Sequence, residues 1–231
     1  MKDLKETFDT PRSYNMKLNP GKCAFRVMVG KFLGFMVSQR GIKANPNKIR
    51  AIMEMKPLRN VKKVQSLNGK VAALNRFVSR ATDKCLTFFR TLKKSFEWTD
   101  ECQQAFEELK AYLSAPPLLS PSQPGEELFL YLAVSPAAVS VALIREEEKV
   151  QKPVYYTSRA LRGAEERYPP MEKLAFALVT TARKLKPYFQ AHTIVVLTDR
   201  PLRRAISNLD IAGRLALWAI ELSEFDIQYH P

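Results

Sequence analysis

Apolar positions along the chain follow two rhythms, one in each half. Before residue 114 the spacing is helical. Asn45-Pro46 reads as an N-cap with proline at the first helical position, opening a segment with Ile49, Ile52 and Met53 on one face and stopping before Pro57. Asn60 then introduces Val64, Leu67, Val71, Leu74 and Val78, whose spacing of three and four residues defines a single apolar stripe. Asp100 reads as the cap of a third helix with Gln103 in the capping-box position. The buried face expected there is Cys102, Ala105, Phe106, Leu109, Tyr112 and Leu113. The main β signal is 31–44, two short apolar runs around a Ser-Gln-Arg-Gly turn. Residues 114–127, SAPPLLSPSQPGEE, have neither period and read as a linker.

After the linker the rhythm becomes mixed. The unbroken apolar run 128–134 predicts a strand buried on both faces. A second strand is expected over 138–145, a solvated turn at 146–149, and a third strand over 150–158 that Pro153 assigns to a sheet edge. Pro169 and Pro170 precede a long helix striped by Met171, Leu174, Ala175, Leu178, Val179, Ala182 and Leu185. A strand at 193–197, a short helix from Pro201, a helix at 214–222 and a strand at 225–229 complete the order β-β-β-α-β-α-α-β. That order implies a mixed sheet flanked by helices. The fold class expected is α+β or α/β, with 1–113 and 128–231 as separate modules.

Charge divides the halves further. Of a formal +14, residues 1–120 hold 23 basic and 10 acidic side chains, whereas 121–231 hold 14 and 13. Between 12 and 94 the only acids are Glu54 and Asp83, against 20 basic residues. Such a module attracts polyanions. Nucleic acid is the commonest such partner, with a ribosome or an acidic protein surface as competitors. Three scattered cysteines make neither a disulfide framework nor a thiolate zinc site. No apolar run approaches the ~20 residues that span a bilayer, and MKDLKETFDT carries no apolar leader, so no membrane partner is expected and the expected location is intracellular, cytoplasmic or nuclear.

Most catalytic signatures are missing: there is no GxxxxGK[ST], HExxH, GxSxG or GxGxxG. The two histidines, His192 and His230, exclude a multi-histidine metal site, and His192 is expected at the surface. Hydrolytic chemistry would rest on carboxylates and a hard divalent cation. Asp199 ends an apolar strand, at the rim where open α/β sheets bind ligands. Glu172 lies in the first turn of the long helix, beside its apolar stripe. Each has a plainer reading: Asp199 as a cap for the helix at Pro201, Glu172 as a favourable charge at its own helix N-terminus.

Longer strings add a resemblance. YNMKLNPGKCAF and KFLGFMVSQRGIKANPNKIRAI resemble the segment just after the polymerase active site in gypsy-type LTR-retrotransposon reverse transcriptases, the palm end with its primer-grip hairpin. SFEWTDECQQAFEELKAYLSAPPLL is similar to that family's connector. PVYYTSRALRGAEERYPPMEKLAFAL and VLTDRPLR are similar to the core of its RNase H, in a form close to that of plant elements. The resemblance implies a partial palm-connector module of hairpin and helices, followed by an RNase H-like mixed sheet flanked by helices.

RNase H enzymes hold two Mg²⁺ ions with four carboxylates and hydrolyse the RNA strand of an RNA:DNA hybrid. Glu172, in YPPMEKLA, matches the helix glutamate of that set, and Asp199, in TDRPL, the strand-end aspartate. The first aspartate, from a string like TDAS, is replaced by Ala133 in LAVS, and Ser135 is a poor substitute. The fourth acid is expected beyond Pro231. No YxDD-like polymerase string occurs; in the family it lies upstream of the region matching Leu4–Phe8.

The resemblance therefore implies a fragment of a Pol polyprotein that binds RNA:DNA hybrid or duplex, with no polymerase site and a degenerate RNase H site. Mg²⁺ or Mn²⁺ is expected only if nuclease activity remains. The rest of the polyprotein is the second expected partner. Lys17, Lys22, Lys31, Arg40, Lys43 and Lys48 surround the hairpin, and Lys62, Lys63, Lys70, Arg76 and Arg80 follow on the helical region. Phe32, Phe35, Phe77, Phe88 and Phe89 interleave with them, either as stacking platforms or as core. Two alternatives stay open: a working hybrid ribonuclease using Glu172 and Asp199, and an interaction module or decaying reading frame without catalysis.

Overall fold

The computed structural model describes residues 2–23, 27–58, 60–93, 98–207 and 213–231. Helix α1 (Lys2–Ser13) is solvent-exposed along most of its length and leads into a three-stranded meander, β1 (Val29–Phe32), β2 (Phe35–Ser38) and β3 (Gly41–Lys43). The sequence predicts two runs around Ser38–Gly41; a second reversal at Leu33-Gly34, both at positive φ, splits the first run into two strands. Gly41 has φ +131°, and a Cβ there would lie 2.1 Å from the Leu119 carbonyl oxygen, so only glycine fits.

Four helices pack behind the meander: α2 (Pro46–Met53), α3 (Val61–Ala72), α4 (Ala81–Lys93) and α5 (Asp100–Ser114). Asn45 and Asn60 are N-caps as expected, accepting from the N–H groups of Asn47 and Lys63. The third cap is displaced by one residue. Thr99, not Asp100, accepts the Cys102 N–H, because its hydroxyl sits three residues ahead of that donor while Asp100 already lies within the helix. The stripe from Val64 to Val78 is buried throughout, yet the helix ends at Ala72 and a short 3₁₀ turn carries Phe77 inward. Ile52, Leu67, Phe77, Phe88, Phe106 and Leu113 form the core of this module. The proline-rich segment is tied at Leu119, which is fully buried and exchanges two hydrogen bonds with Ile42.

The second module is a five-stranded mixed sheet of β4 (Leu128–Val134), β5 (Ala138–Glu147), β6 (Val150–Ala160), β7 (Ile194–Leu197) and β8 (Ile227–His230). Its order is β6-β5-β4-β7-β8, antiparallel across β6, β5 and β4 and parallel across β4, β7 and β8. Pro153 lies on the edge strand, as its missing N–H requires. The run 128–134 departs from the expected burial on both faces: Leu128 and Leu130 are buried, whereas Tyr131 and Ala133 on the alternate face are exposed. Beyond these strands lie α6 (Pro170–Lys184), α7 (Lys186–Ala191), α8 (Leu202–Ser207) and α9 (Arg214–Leu222), of which α7 carries no distinct sequence signal.

Alternation along the strands decides what covers each face. Leu128, Leu130, Val139, Val141 and Leu143 point to α6 and its buried stripe. The opposite face receives the first module over its β5–β6 side. Thr82 at the start of α4 donates its N–H to Ser158 Oγ at 3.0 Å, and Asn75 reaches the same serine. Tyr156 packs into the core of the first module.

Burial makes a direct prediction for the cysteines. Burial pushes the Cys85 thiol up to about 12, against a small opposing pull from Lys84, so almost no thiolate forms near neutrality. At pH 8 a thiol reagent should modify half-buried Cys23 in the native chain and leave Cys85 and Cys102 unmodified until the fold is lost, as read by mass after proteolysis.

Candidate functional site

Three of the predicted basic residues share one cleft. Lys31 on β1, Lys48 on α2 and Lys70 on α3 stand around a cavity of about 630 Å³ whose floor includes Gly34, Ser66 and Gly69. At 100° per residue, Lys62, Lys63, Ser66, Gly69, Lys70 and Ala73 share one side of α3, opposite buried Val64 and Val71. Small residues therefore line the middle of that helix face, with lysines at its margins. Gly34, at φ +79°, lets the Lys48 ammonium pass: a Cβ there would meet Lys48 Nζ at 3.0 Å. Lys48 also lies over the Phe35 ring, 5.5 Å from its centroid, and Phe35 packs on Phe77.

Lys17, Lys22, Arg40 and Lys43 are exposed on and beside the meander. Among the described residues, none of these four, nor Lys31, Lys48, Lys62, Lys63 or Lys70, forms an ion pair with a carboxylate. Their charge is left to solvent counterions.

Two predicted contacts point elsewhere. Arg76 donates to Tyr188 Oη at 3.3 Å and stacks 4.6 Å from the Tyr155 ring centroid. Arg80 pairs with Asp83 at 3.1 Å. Both are drawn to the junction between modules, because the chain turns there from α3 onto the sheet. Of the phenylalanines, Phe77 and Phe88 are fully buried core and Phe35 is half-buried, which removes them as stacking platforms; Phe32 is 64% exposed. The Phe89 side chain lies outside the described residues. The glycines and Ser66 are the part of the cleft that charge counting passes over. Their signal was the spacing Ser66, Gly69, Ala73 on the polar side of an amphipathic helix.

The carboxylates occupy the far end of the sheet. The parallel register pairs Tyr131 with Leu197, the last residue of β7, so Ala133 and Asp199 each lie two residues beyond that pair. Asp199 is exposed and lines a strand-end cavity of about 210 Å³ with Leu132, Val134, Pro170 and Leu174. Thr198 Oγ1, rather than Asp199, accepts the Arg200 N–H in this turn. Glu172, in the first turn of α6, faces Arg214 at 3.6 Å; its Oε2 is buried without a hydrogen bond, and the Arg214 guanidinium lies over Tyr168. Ala133 points to the opposite face from Leu132 and Val134 and presents a methyl group.

This donor set does not fit a two-cation centre. Ala133 supplies no side-chain oxygen, Glu172 is engaged by a guanidinium, and no three acids, cysteines or histidines cluster among the described residues. His192 is half-buried at the other end of the sheet, with Nδ1 3.0 Å from the Glu126 carbonyl. No described helix is long and apolar enough to cross a membrane.

Residues 98–196 match the RNase H-like domain found in reverse transcriptase. Across 98% of its length the chain is 30% identical to a retrovirus-related Pol polyprotein from transposon 412 of Drosophila melanogaster, of which it covers 18%. It is 28% identical to the Pol polyprotein from transposon opus of the same fly, covering 25%, and 26% identical to the Tf2-3 polyprotein of Schizosaccharomyces pombe, covering 18%. The chain thus spans a quarter or less of these relatives. The dRH form of a foamy viral protease-reverse transcriptase, in complex with double-stranded DNA, has the same fold over 99% of this chain and 42% of its own, at TM-score 0.75 and 19% identity. The foamy viral protease-reverse transcriptase with an RNA/DNA hybrid gives 0.73 over 91% of this chain and 30% of its own, at 20% identity. The chain is similar throughout to the part of a retroelement Pol polyprotein where the C-terminal region of a reverse transcriptase meets an RNase H-like domain.

The two cleft glycines should respond oppositely to alanine. Nothing lies within 4 Å of a Cβ at Gly69, so Gly69→Ala should stabilise α3 by about 1 kcal/mol. Gly34→Ala forces a side chain into positive φ and should cost about 1 kcal/mol or more. Denaturant midpoints of the two variants measure both.

Proposed function

We propose that this chain is the nucleic-acid-holding part of a gypsy-type retrotransposon Pol polyprotein of the plant kind, gripping the backbone of an RNA:DNA hybrid or DNA duplex without cleaving it. The observation that carries this reading is the cleft of Lys31, Lys48 and Lys70, whose charges have no partner among the described carboxylates. The lysine ammonium groups displace the counterions condensed on the phosphates of nucleic acid, which drives binding without reading sequence. Gly69 and Ser66 let a sugar–phosphate strand approach the helix backbone, and exposed Phe32 at the meander tip is placed to stack on a base. The structural neighbours were solved with double-stranded DNA and with an RNA/DNA hybrid, which supports the ligand class. The rest of the polyprotein is the protein partner, and the setting is the cytoplasm or nucleus.

Hydrolysis is not part of this reading, because Ala133 removes the carboxylate that in the family touches both ions. The few oxygens left at Glu172 and Asp199 suit at most a Mg²⁺ or Mn²⁺ that keeps most of its waters. A nuclease assay on a labelled hybrid in either metal separates the readings. Cleavage by the native chain that disappears in both Glu172→Ala and Asp199→Ala would establish the ribonuclease alternative.

Binding gives the positive test. With ~5 phosphates neutralised, log K should fall with log salt at a slope of roughly −4 to −5, and Lys48→Ala or Lys70→Ala should each weaken binding to any sequence and flatten the slope by about 1. Weak binding with no salt dependence would favour a module with other partners.

A further inference from the structure

The face of the sheet that carries Ala133 is partly covered by the first module. Ser158 pairs with Ser140, and Ser140 pairs with Ala133, so these three residues form one row running inward from the edge strand. The two serines of the row are buried, whereas Ala133 at its end stays exposed. The start of α4 reaches this row. Ser135 Oγ donates to Asp83 Oδ1 at 2.9 Å, and Ser140 Oγ approaches Asp83 Oδ2 at 3.4 Å. Thr82 takes the next serine along the row, with both its N–H and its hydroxyl 3.0 Å from Ser158 Oγ. Asp83 is only 17% exposed at its side chain, and Arg80 covers it from the solvent side.

Position 133 thus neighbours both serines that hold Asp83. Ser140 is its direct cross-strand partner, and such Cβ atoms are about 5 Å apart. Ser135 follows two residues later along the chain. A carboxylate at 133 would stand within roughly 6 Å of the Asp83 carboxylate, whose burial weakens the screening between two like charges.

The geometry points to a clamp: Asp83 locks the first module onto the sheet, and it does so only because residue 133 is uncharged. An uncharged residue at 133 is therefore a requirement of this docking. The row that ends at position 133 is an internal docking surface, one of the contacts that hold the first module on the sheet. This inference does not depend on the nucleic-acid reading, since the contact lies within the chain.

A double-mutant cycle on the full chain tests it by thermal unfolding. Ala133→Asp should lower the midpoint by about 4 °C or more, and Ala133→Asn, of equal size without the charge, by clearly less. In an Asp83→Asn background the extra loss of Ala133→Asp over Ala133→Asn should vanish. Equal losses for the two substitutions at 133 would assign the effect to size and overturn the clamp. So would a loss specific to Ala133→Asp that persists unchanged when Asp83 is neutralised. If Ala133→Asp does not fold alone, its recovery by Asp83→Asn supports the clamp. Failure of that double variant, while Ala133→Asn combined with Asp83→Asn folds, overturns it.

Discussion

A sheet has two faces, and the hydroxyls on the second face of this one set the terms for the rest of the molecule. Ser140 and Ser158 sit on central and edge strands, buried, where an unpartnered hydroxyl would cost a few kcal/mol. Their partners come from the other module: Asp83, Thr82 and Asn75. The start of α4 is held against the sheet by polar bonds, with Tyr156 crossing the other way into the neighbouring core. Arg76 serves the same attachment through Tyr188 and Tyr155, and Arg80 pairs with Asp83 beside it.

With the junction fixed, the two modules divide their tasks by charge. The first keeps its lysines unneutralised on the meander, α2 and α3. That arrangement repels itself, and the aromatic core of Phe77, Phe88, Trp98 and Phe106 opposes the repulsion. The second, nearly neutral, module pairs some of its charges internally, as in the Arg145–Glu126 and Arg183–Glu221 pairs. One module leaves its positive charge open to solvent, and the other lies nearly neutral beside it. The strand-end carboxylates fit that division: Glu172 faces Arg214 and Asp199 faces solvent.

Much of the fold was legible in residues that act locally. Asn45 and Asn60 announced their helices because a side-chain oxygen two or three residues ahead of an N–H needs nothing else to bond it. Pro153 announced the edge strand because it lacks a donor. The short helix α7 and the extra turn at Leu33-Gly34 were not legible, since each depends on neighbours that the local pattern does not contain. The cap at Thr99 differs from the expected Asp100 by one residue, a distinction set by where the helix begins.

Residue type and spacing alone settled the strand and helix periods, the concentration of positive charge in the first half, and the presence of an alanine at 133. These are properties of residue type and spacing, so they need no coordinates. Only the tertiary structure decided which lysines share a cleft, that Phe77 and Phe88 are core, and that Asp83 reaches the row ending at Ala133. Those facts arise from contacts between residues far apart in the chain, 52 positions in the case of Asp83 and Ser135. No local pattern encodes such a meeting; it exists once two modules have buried their faces against each other.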